Sequence, residues 1–180
     1  MEDLEGKTAF ITGGASGIGL GIAQSLAEAG MKIALADVEE KVLLEAVRGL
    51  RDAGVEAHGI VVDVTNRAGM KRAADDAERR FGAVHVICNN AGVATGGTLD
   101  KSTYDDWDWV LGVNLGGVIN GVQTFVDRIK NHGEGGHIVN TASLAGFVTN
   151  NAGIYSTSKY AVVGLSEALR PDLAPGRWRG

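Results

Sequence analysis

Five short apolar runs, each separated from the next by a longer stretch of helical period, set the fold class of this chain. The runs are Thr8–Thr12, Lys32–Asp37, Gly59–Val64, Val84–Asn89 and His137–Thr141. They are rich in β-branched residues and continuously apolar rather than alternating, as in strands covered on both faces. Helical patterns occupy Gly17–Ala29, Glu39–Ala53, Arg67–Phe81 and Tyr104–Asn131, and a last helix is expected from Ile154 to Arg170. Strand and helix alternation implies a mostly parallel sheet. Right-handed crossovers then favour a doubly wound, Rossmann-like α/β fold with strand order 3-2-1-4-5. With 180 residues and no repeat or linker, the chain reads as a single domain over residues 1–180.

Glycine is the compositional outlier, at 27 residues against two prolines. Its densest cluster, Thr12-Gly13-Gly14-Ala15-Ser16-Gly17-Ile18-Gly19, follows the first strand and opens the first helix. A helix N-terminus carries partial positive charge and unpaired N–H groups. A pyrophosphate can bind there when residues without a Cβ let the backbone come close. The same spacing also reads as a glycine-rich turn without a ligand. Asp37, at the end of the second run, sharpens the first reading, because a carboxylate there can accept hydrogen bonds from the adenosine ribose. It would repel a 2′-phosphate, and Ser16 stands where a basic residue could meet one, so the expected cofactor is NAD rather than NADP. Asp37 also reads as a helix cap before Glu39, and both roles can hold at once. Asp63 and Val64, at the end of the third run, are expected beside the adenine. Asn89-Asn90-Ala91-Gly92 is a turn signal after the fourth run. It falls at the carboxyl edge of the sheet, where open α/β folds bind ligands.

Ser143 follows the fifth run at that same edge. Tyr155 and Lys159 are four apart and share a helix face. Asn114 lies within the apolar helical stretch Val110–Val118, and a buried amide requires partners. With these residues in place the sequence resembles the short-chain dehydrogenase/reductase family. The resemblance rests on Thr12–Gly19, Asp63, Asn89–Gly92, Asn114, Ser143 and the Tyr155-Ser156-Thr157-Ser158-Lys159 run, in the family's order. It implies hydride transfer between NAD(H) and an alcohol/ketone pair. Tyr155 would be the general acid/base, and Lys159 would hold the nicotinamide ribose and favour the phenolate. Ser143 would bind the substrate oxygen, and Asn114 would hold a water linking Lys159 to solvent. The cofactor set implied is Gly13, Ser16, Gly17, Ile18, Gly19, Asp37, Asp63, Val64, Asn90, Ala91, Gly92, Tyr155 and Lys159.

The resemblance further implies two strands after Pro175 that this sequence does not contain. On that ground NAD binding is expected to be retained more readily than turnover, and a non-catalytic NAD-binding or interaction protein is the alternative. Helices 104–131 and 154–170 pair between subunits in family relatives, which implies a homo-oligomer, with Gly112, Gly116, Gly117 and Gly121 permitting close packing there. A net charge of −5 without a basic stripe argues against nucleic acid and anionic membrane as partners. One cysteine, Cys88, excludes an intramolecular disulfide and suits a reducing compartment. The acidic start has no signal-peptide pattern, and no apolar run reads as a membrane span, so a cytoplasmic protein is expected. His58, His85, His132 and His137 show no metal-ligand spacing and no metal is expected. Trp107 and Trp109 are assigned to core or interface packing.

Overall fold

A computed structural model describes residues 3–149 and 153–173. The expected C-terminal tail, 176–180, lies outside the described residues. Five parallel strands form one sheet: β1 Thr8–Thr12, β2 Lys32–Asp37, β3 Ala57–Val61, β4 Val86–Asn89 and β5 His137–Asn140. Their order is β3-β2-β1-β4-β5, the expected one. Between them run α1 Gly17–Glu28, α2 Glu40–Asp52, α3 Arg67–Phe81, α4 Tyr104–Leu111 and α5 Gly117–Asn131, and α6 Gly153–Asp172 follows β5.

The pleat sends alternate residues of β1 into two apolar layers. Ala9 and Ile11 pack with Leu35, Leu43, Val47 and Ala23 on the α1/α2 side. Phe10 packs with Met70, Ala74 and Ile129 on the α3/α5 side, its ring centre 4.8 Å from that of Phe125. All five residues of β1 are buried, which explains why its run is continuously apolar. β5, at the sheet edge, is half exposed along its length, with Val139 43% exposed.

Three differences from the sequence reading have local causes. β3 stops at Val61 rather than Val64 because the chain turns at Asp63, whose Oδ1 accepts from the Thr65 amide and hydroxyl, both at 2.8 Å. The long helix 104–131 is one continuous rod containing a π-helical turn at Gly112–Gly116, an insertion that typically re-aims side chains at functional sites. Two of the glycines assigned to subunit packing, Gly117 and Gly121, lie against this chain's own strand ends. A Cβ on Gly117 would sit 2.7 Å from Val64 Cγ2, and one on Gly121 1.8 Å from Asn89 Oδ1. They bring the rod down onto the strand ends. By length and composition this rod could also cross a membrane, although 44% of its apolar window is buried in the fold. Here its apolar stripe, Val118, Val122, Phe125 and Ile129, is spent on the core.

At the opposite edge of the sheet a polar knot joins the strand starts. Among the described residues, His85, His132 and Glu134 bring ligand-capable atoms within 4.8 Å of one another, a grouping that sequence spacing does not reveal. Their hydrogen bonds are already assigned. The Thr8 amide donates to His85 Nδ1 at 3.1 Å, so His85 Nε2 carries the proton and donates to Glu134. His132 Nε2 donates to the Val84 carbonyl, and its Nδ1 accepts from the Glu134 amide. Lys7 pairs with the same carboxylate. Lys7, then His85, hold the Glu134 carboxyl down to about 2 from an ordinary 4.5. A depressed carboxylate contributes stability above its unfolded value that is lost as pH falls through the folded value. Acid unfolding followed by circular dichroism is therefore expected to show a loss between about pH 4.5 and 2 that the Glu134→Gln variant lacks.

Candidate active site

The loops that follow the five strands converge on one cavity of about 1100 Å³ along the carboxyl edge. At one end stands the β1–α1 loop. Ser16 takes the N-cap position of α1 with extended backbone, but its side chain makes no capping bond, and the first turn holds no acidic residue. No side chain of the helix's own first turn meets the partial positive charge there. Gly17 adopts φ +51, and a Cβ on it would project into open space, so backbone rather than side chain faces the cavity. Gly19 is required for a different reason: a Cβ on it would lie 2.0 Å from the Gly13 carbonyl oxygen and 2.7 Å from Asn90 Nδ2.

Asp37 binds two backbone amides at this end of the cavity. Its Oδ1 accepts from the Glu39 amide at 3.1 Å, at the entry to α2, and its Oδ2 accepts from the Ala15 amide at 3.0 Å, tethering the glycine loop. A carboxylate has about four lone-pair sites, so acceptor capacity remains toward the cavity it lines. Asp63 Oδ1 is occupied by Thr65, and its second oxygen has no hydrogen-bond partner among the described residues. Val64 and Ile18 line the same space.

Asn90, Ala91 and Gly92 form the middle of the wall. The Asn90 side chain stitches rather than points: Nδ2 donates to the Thr12 and Gly13 carbonyls at 3.1 and 3.3 Å, and Oδ1 accepts from Thr141 Oγ1 at 3.3 Å. Thr12 Oγ1 in turn accepts from the Asn90 and Ala91 amides. Sequence reasoning missed Thr12 as the hub that holds the β1 and β4 loops together. Its only signal was a hydroxyl ending a buried strand.

At the other end lie Tyr155 and Lys159, both lining the cavity. Lys159 is 3% exposed, and its Nζ donates to the Thr141 carbonyl at 2.7 Å. Burial alone pushes its ammonium below the ordinary value, since no carboxylate pairs with it among the described residues. An ammonium has three donors, so two remain available. Its Nζ lies 5.6 Å from the Tyr155 ring centre.

Asn114 is fully buried and sits on the π-helical turn. Its Oδ1 accepts from the Val93 amide at 2.7 Å, and its Nδ2 donates to the Val93 carbonyl at 2.9 Å and to Ser158 Oγ at 3.0 Å. Ser158 Oγ then donates to the Tyr155 carbonyl at 2.7 Å. The amide nitrogen has both donors engaged, so a water at this residue would be held by its oxygen atoms. Asn114 clamps the β4 loop to the first turn of α6, with Ser158 as an intermediary to which sequence reasoning gave no role. Asn114→Ala removes three such bonds and leaves buried partners unpaired, at about 1–3 kcal/mol per group left unsatisfied. A stability loss of about 3 kcal/mol is expected in denaturant unfolding.

Ser143 is placed differently from expectation. It caps a short 3₁₀ turn at Leu144–Gly146, with its Oγ accepting from the Ala145 amide at 3.2 Å, and it is not among the residues lining the cavity. Cys88 is a core residue, 2% exposed, its thiol pushed up to about 12 by burial.

A family profile described as short chain dehydrogenase matches residues 7–177. Among curated proteins, C alpha-dehydrogenase of Sphingobium sp. SYK-6 is 48% identical over 175 residues, covering 96% of this chain and 57% of that protein. Among solved structures, a short chain dehydrogenase/reductase from Burkholderia phymatum in complex with NAD superposes with a TM-score of 0.94 at 48% identity, covering 96% of this chain and 62% of that one. The apo form of LigO from Sphingobium sp. strain SYK-6 superposes with the same TM-score at 49% identity, covering 96% and 65%. The chain thus spans about three-fifths of the length of the proteins it matches.

Proposed function

The chain belongs to the short-chain dehydrogenase family, and from that premise we propose that it binds NAD along the carboxyl edge and acts as an oxidoreductase on an alcohol/ketone pair. The observation that carries this reading is the continuity of one cavity from the glycine loop to Tyr155 and Lys159. The residues fit the cofactor. The uncapped α1 N-terminus would receive the pyrophosphate, with Gly13, Ser16, Gly17, Ile18 and Gly19 around it. Asp37 would accept the adenosine ribose hydroxyls, and Asp63 with Val64 would border the adenine. Asn90, Ala91 and Gly92 form the wall between the two ends. The NAD complex of the Burkholderia relative supports the choice of cofactor.

Acidic side chains at the adenosine end favour NAD over NADP. Asp37, Glu39 and Asp63 line that part of the cavity, and a 2′-phosphate placed there would meet like charge.

When bound, the nicotinamide supplies a hydride acceptor or donor. The protein's own task is the proton. Tyr155 exchanges one with the substrate oxygen, and the buried Lys159 ammonium, lacking a carboxylate partner, stabilises the phenolate that forms. Lys159 is itself held by the Thr141 carbonyl, and its spare donors would take the nicotinamide ribose.

Ser143 outside the cavity wall, although its hydroxyl proton is not used in the bond from Ala145, favours a second reading: NAD binding without turnover. Calorimetric titration with NADH and NADPH, beside a dehydrogenase assay on secondary alcohols that include an aryl-alkyl one, separates the readings. Binding of NADH with alcohol-dependent NADH formation supports the oxidoreductase. Binding without turnover supports the second reading, and preference for NADPH contradicts the cofactor choice. Association through helices 104–131 and 154–170 is part of the same proposal, to be checked by light scattering. Exposed Ile119 and Tyr160 on those helices support it.

A further inference from the structure

Trp109 lies on α4 beyond the carboxyl edge and lines the same cavity, although its indole is 52% exposed. A large aromatic ring left half exposed at a cavity mouth is not core packing. Its place along the cavity follows from the next turn of the rod. Gly112, three residues on, faces Thr65, where a Cβ would make an ordinary contact at 3.8 Å from Thr65 Cγ2. Gly117 and Asn120 hold the rod on Val64, Asn120 Nδ2 donating to the Val64 carbonyl at 2.8 Å. Residues three or four apart on a helix are surface neighbours, so Trp109 shares the face of the rod that meets Thr65.

We propose that Trp109 is the stacking cover of the adenine site, a specificity-determining residue that recognises the purine face of the cofactor. The assignment rests on the NAD-binding reading above. It explains why α4 starts where it does. The Thr103 hydroxyl and Asp106 carboxylate form a reciprocal capping box, which fixes the first turn and hence the position of the indole. Asp63, with its unused oxygen at the same corner, supplies the acceptor for an amino group in the ring plane, while Trp109 supplies the apolar face. An aromatic cover of this kind is selective for a flat base and indifferent to the nicotinamide half.

The test uses ligand halves on the whole chain. ADP-ribose and nicotinamide mononucleotide are titrated calorimetrically into wild type, Trp109→Phe and Trp109→Ala. Base–aromatic stacking spans about fivefold to a hundredfold in affinity. Trp109→Ala is expected to weaken ADP-ribose about tenfold, Trp109→Phe to retain most of the affinity, and nicotinamide mononucleotide to bind all three alike. A fluorescent etheno-AMP probe is expected to be quenched by wild type and not by Trp109→Ala. Unchanged ADP-ribose binding in Trp109→Ala, equal losses in both variants, or a parallel loss of nicotinamide mononucleotide would each overturn the assignment. Failure of wild type to bind ADP-ribose or NADH would overturn the NAD reading, and this assignment with it. The indole's exposure keeps folding intact in both variants, which thermal unfolding verifies.

Discussion

Replacing Tyr155 with Phe is expected to lower the rate of alcohol oxidation by about 10²- to 10⁴-fold, the range that loss of a positioned acid/base produces, while NADH affinity falls far less. The expectation follows from what surrounds the phenol. Tyr155 sits on the first turn of α6, whose carbonyl accepts from Ser158, which Asn114 anchors to the β4 loop. Its ring faces a buried ammonium 5.6 Å from the ring centre. At an effective dielectric of about 20, a unit negative charge at that separation gains about 3 kcal/mol from the lysine. The hydroxyl is the only part removed in Tyr155→Phe, so cofactor binding at the glycine loop has no reason to change. Initial rates and NADH titration on the same preparation check both halves. Full activity in Tyr155→Phe would remove the tyrosine from the chemistry. Activity absent in wild type, with NADH bound equally by both proteins, would favour the binding-only reading.

Gly19→Ala is expected to cost more at the cofactor end than any other single methyl group. Its Cβ would lie 2.0 Å from the Gly13 carbonyl and 2.7 Å from Asn90 Nδ2, neither of which is the flexible tip of a free side chain. Asn90 is held by Thr12, Gly13 and Thr141, so relief must come from the loop backbone. Overpacking of this kind costs about 1–3 kcal/mol, and the displaced loop is the one that would receive the pyrophosphate. A fall in NADH affinity of at least about tenfold, together with a lower unfolding midpoint, is expected. Gly21→Ala is the control. It lies two residues further along α1, where nothing stands within 4 Å of a Cβ, and alanine there should stabilise the helix by about 0.5–1 kcal/mol. Equal effects of the two substitutions would show that helix propensity, not close approach, governs the loop.

What could be read from the residues alone divides along physical lines. Strand order followed from apolar runs and crossover handedness, because burial on both faces leaves no alternation. The tyrosine–lysine pair was legible because helical spacing carries positions four apart onto one face. Less legible was how a polar side chain spends its hydrogen bonds, since that depends on partners distant in sequence. Asn114 is bound to Val93, Asn90 to Thr12 and Gly13, and Ser143 to its own following turn. Each of these was expected to serve the site, and the partners it bonds lie where spacing does not point. The glycines of the long rod illustrate the same limit: spacing showed that something approaches closely, and only the packed chain shows that it is Val64 and Asn89. Trp109 was assigned to packing because sequence cannot show that the helix overhangs the sheet edge.

A crystal structure of the chain grown with NAD tests the central claim most directly. The predicted result places the pyrophosphate against the backbone of Gly17–Gly19, the adenosine ribose on Asp37, and the nicotinamide ribose within hydrogen-bond reach of Lys159 Nζ. Density for the dinucleotide elsewhere, or a nicotinamide ribose that leaves Lys159 bonded to Thr141 alone, would contradict it.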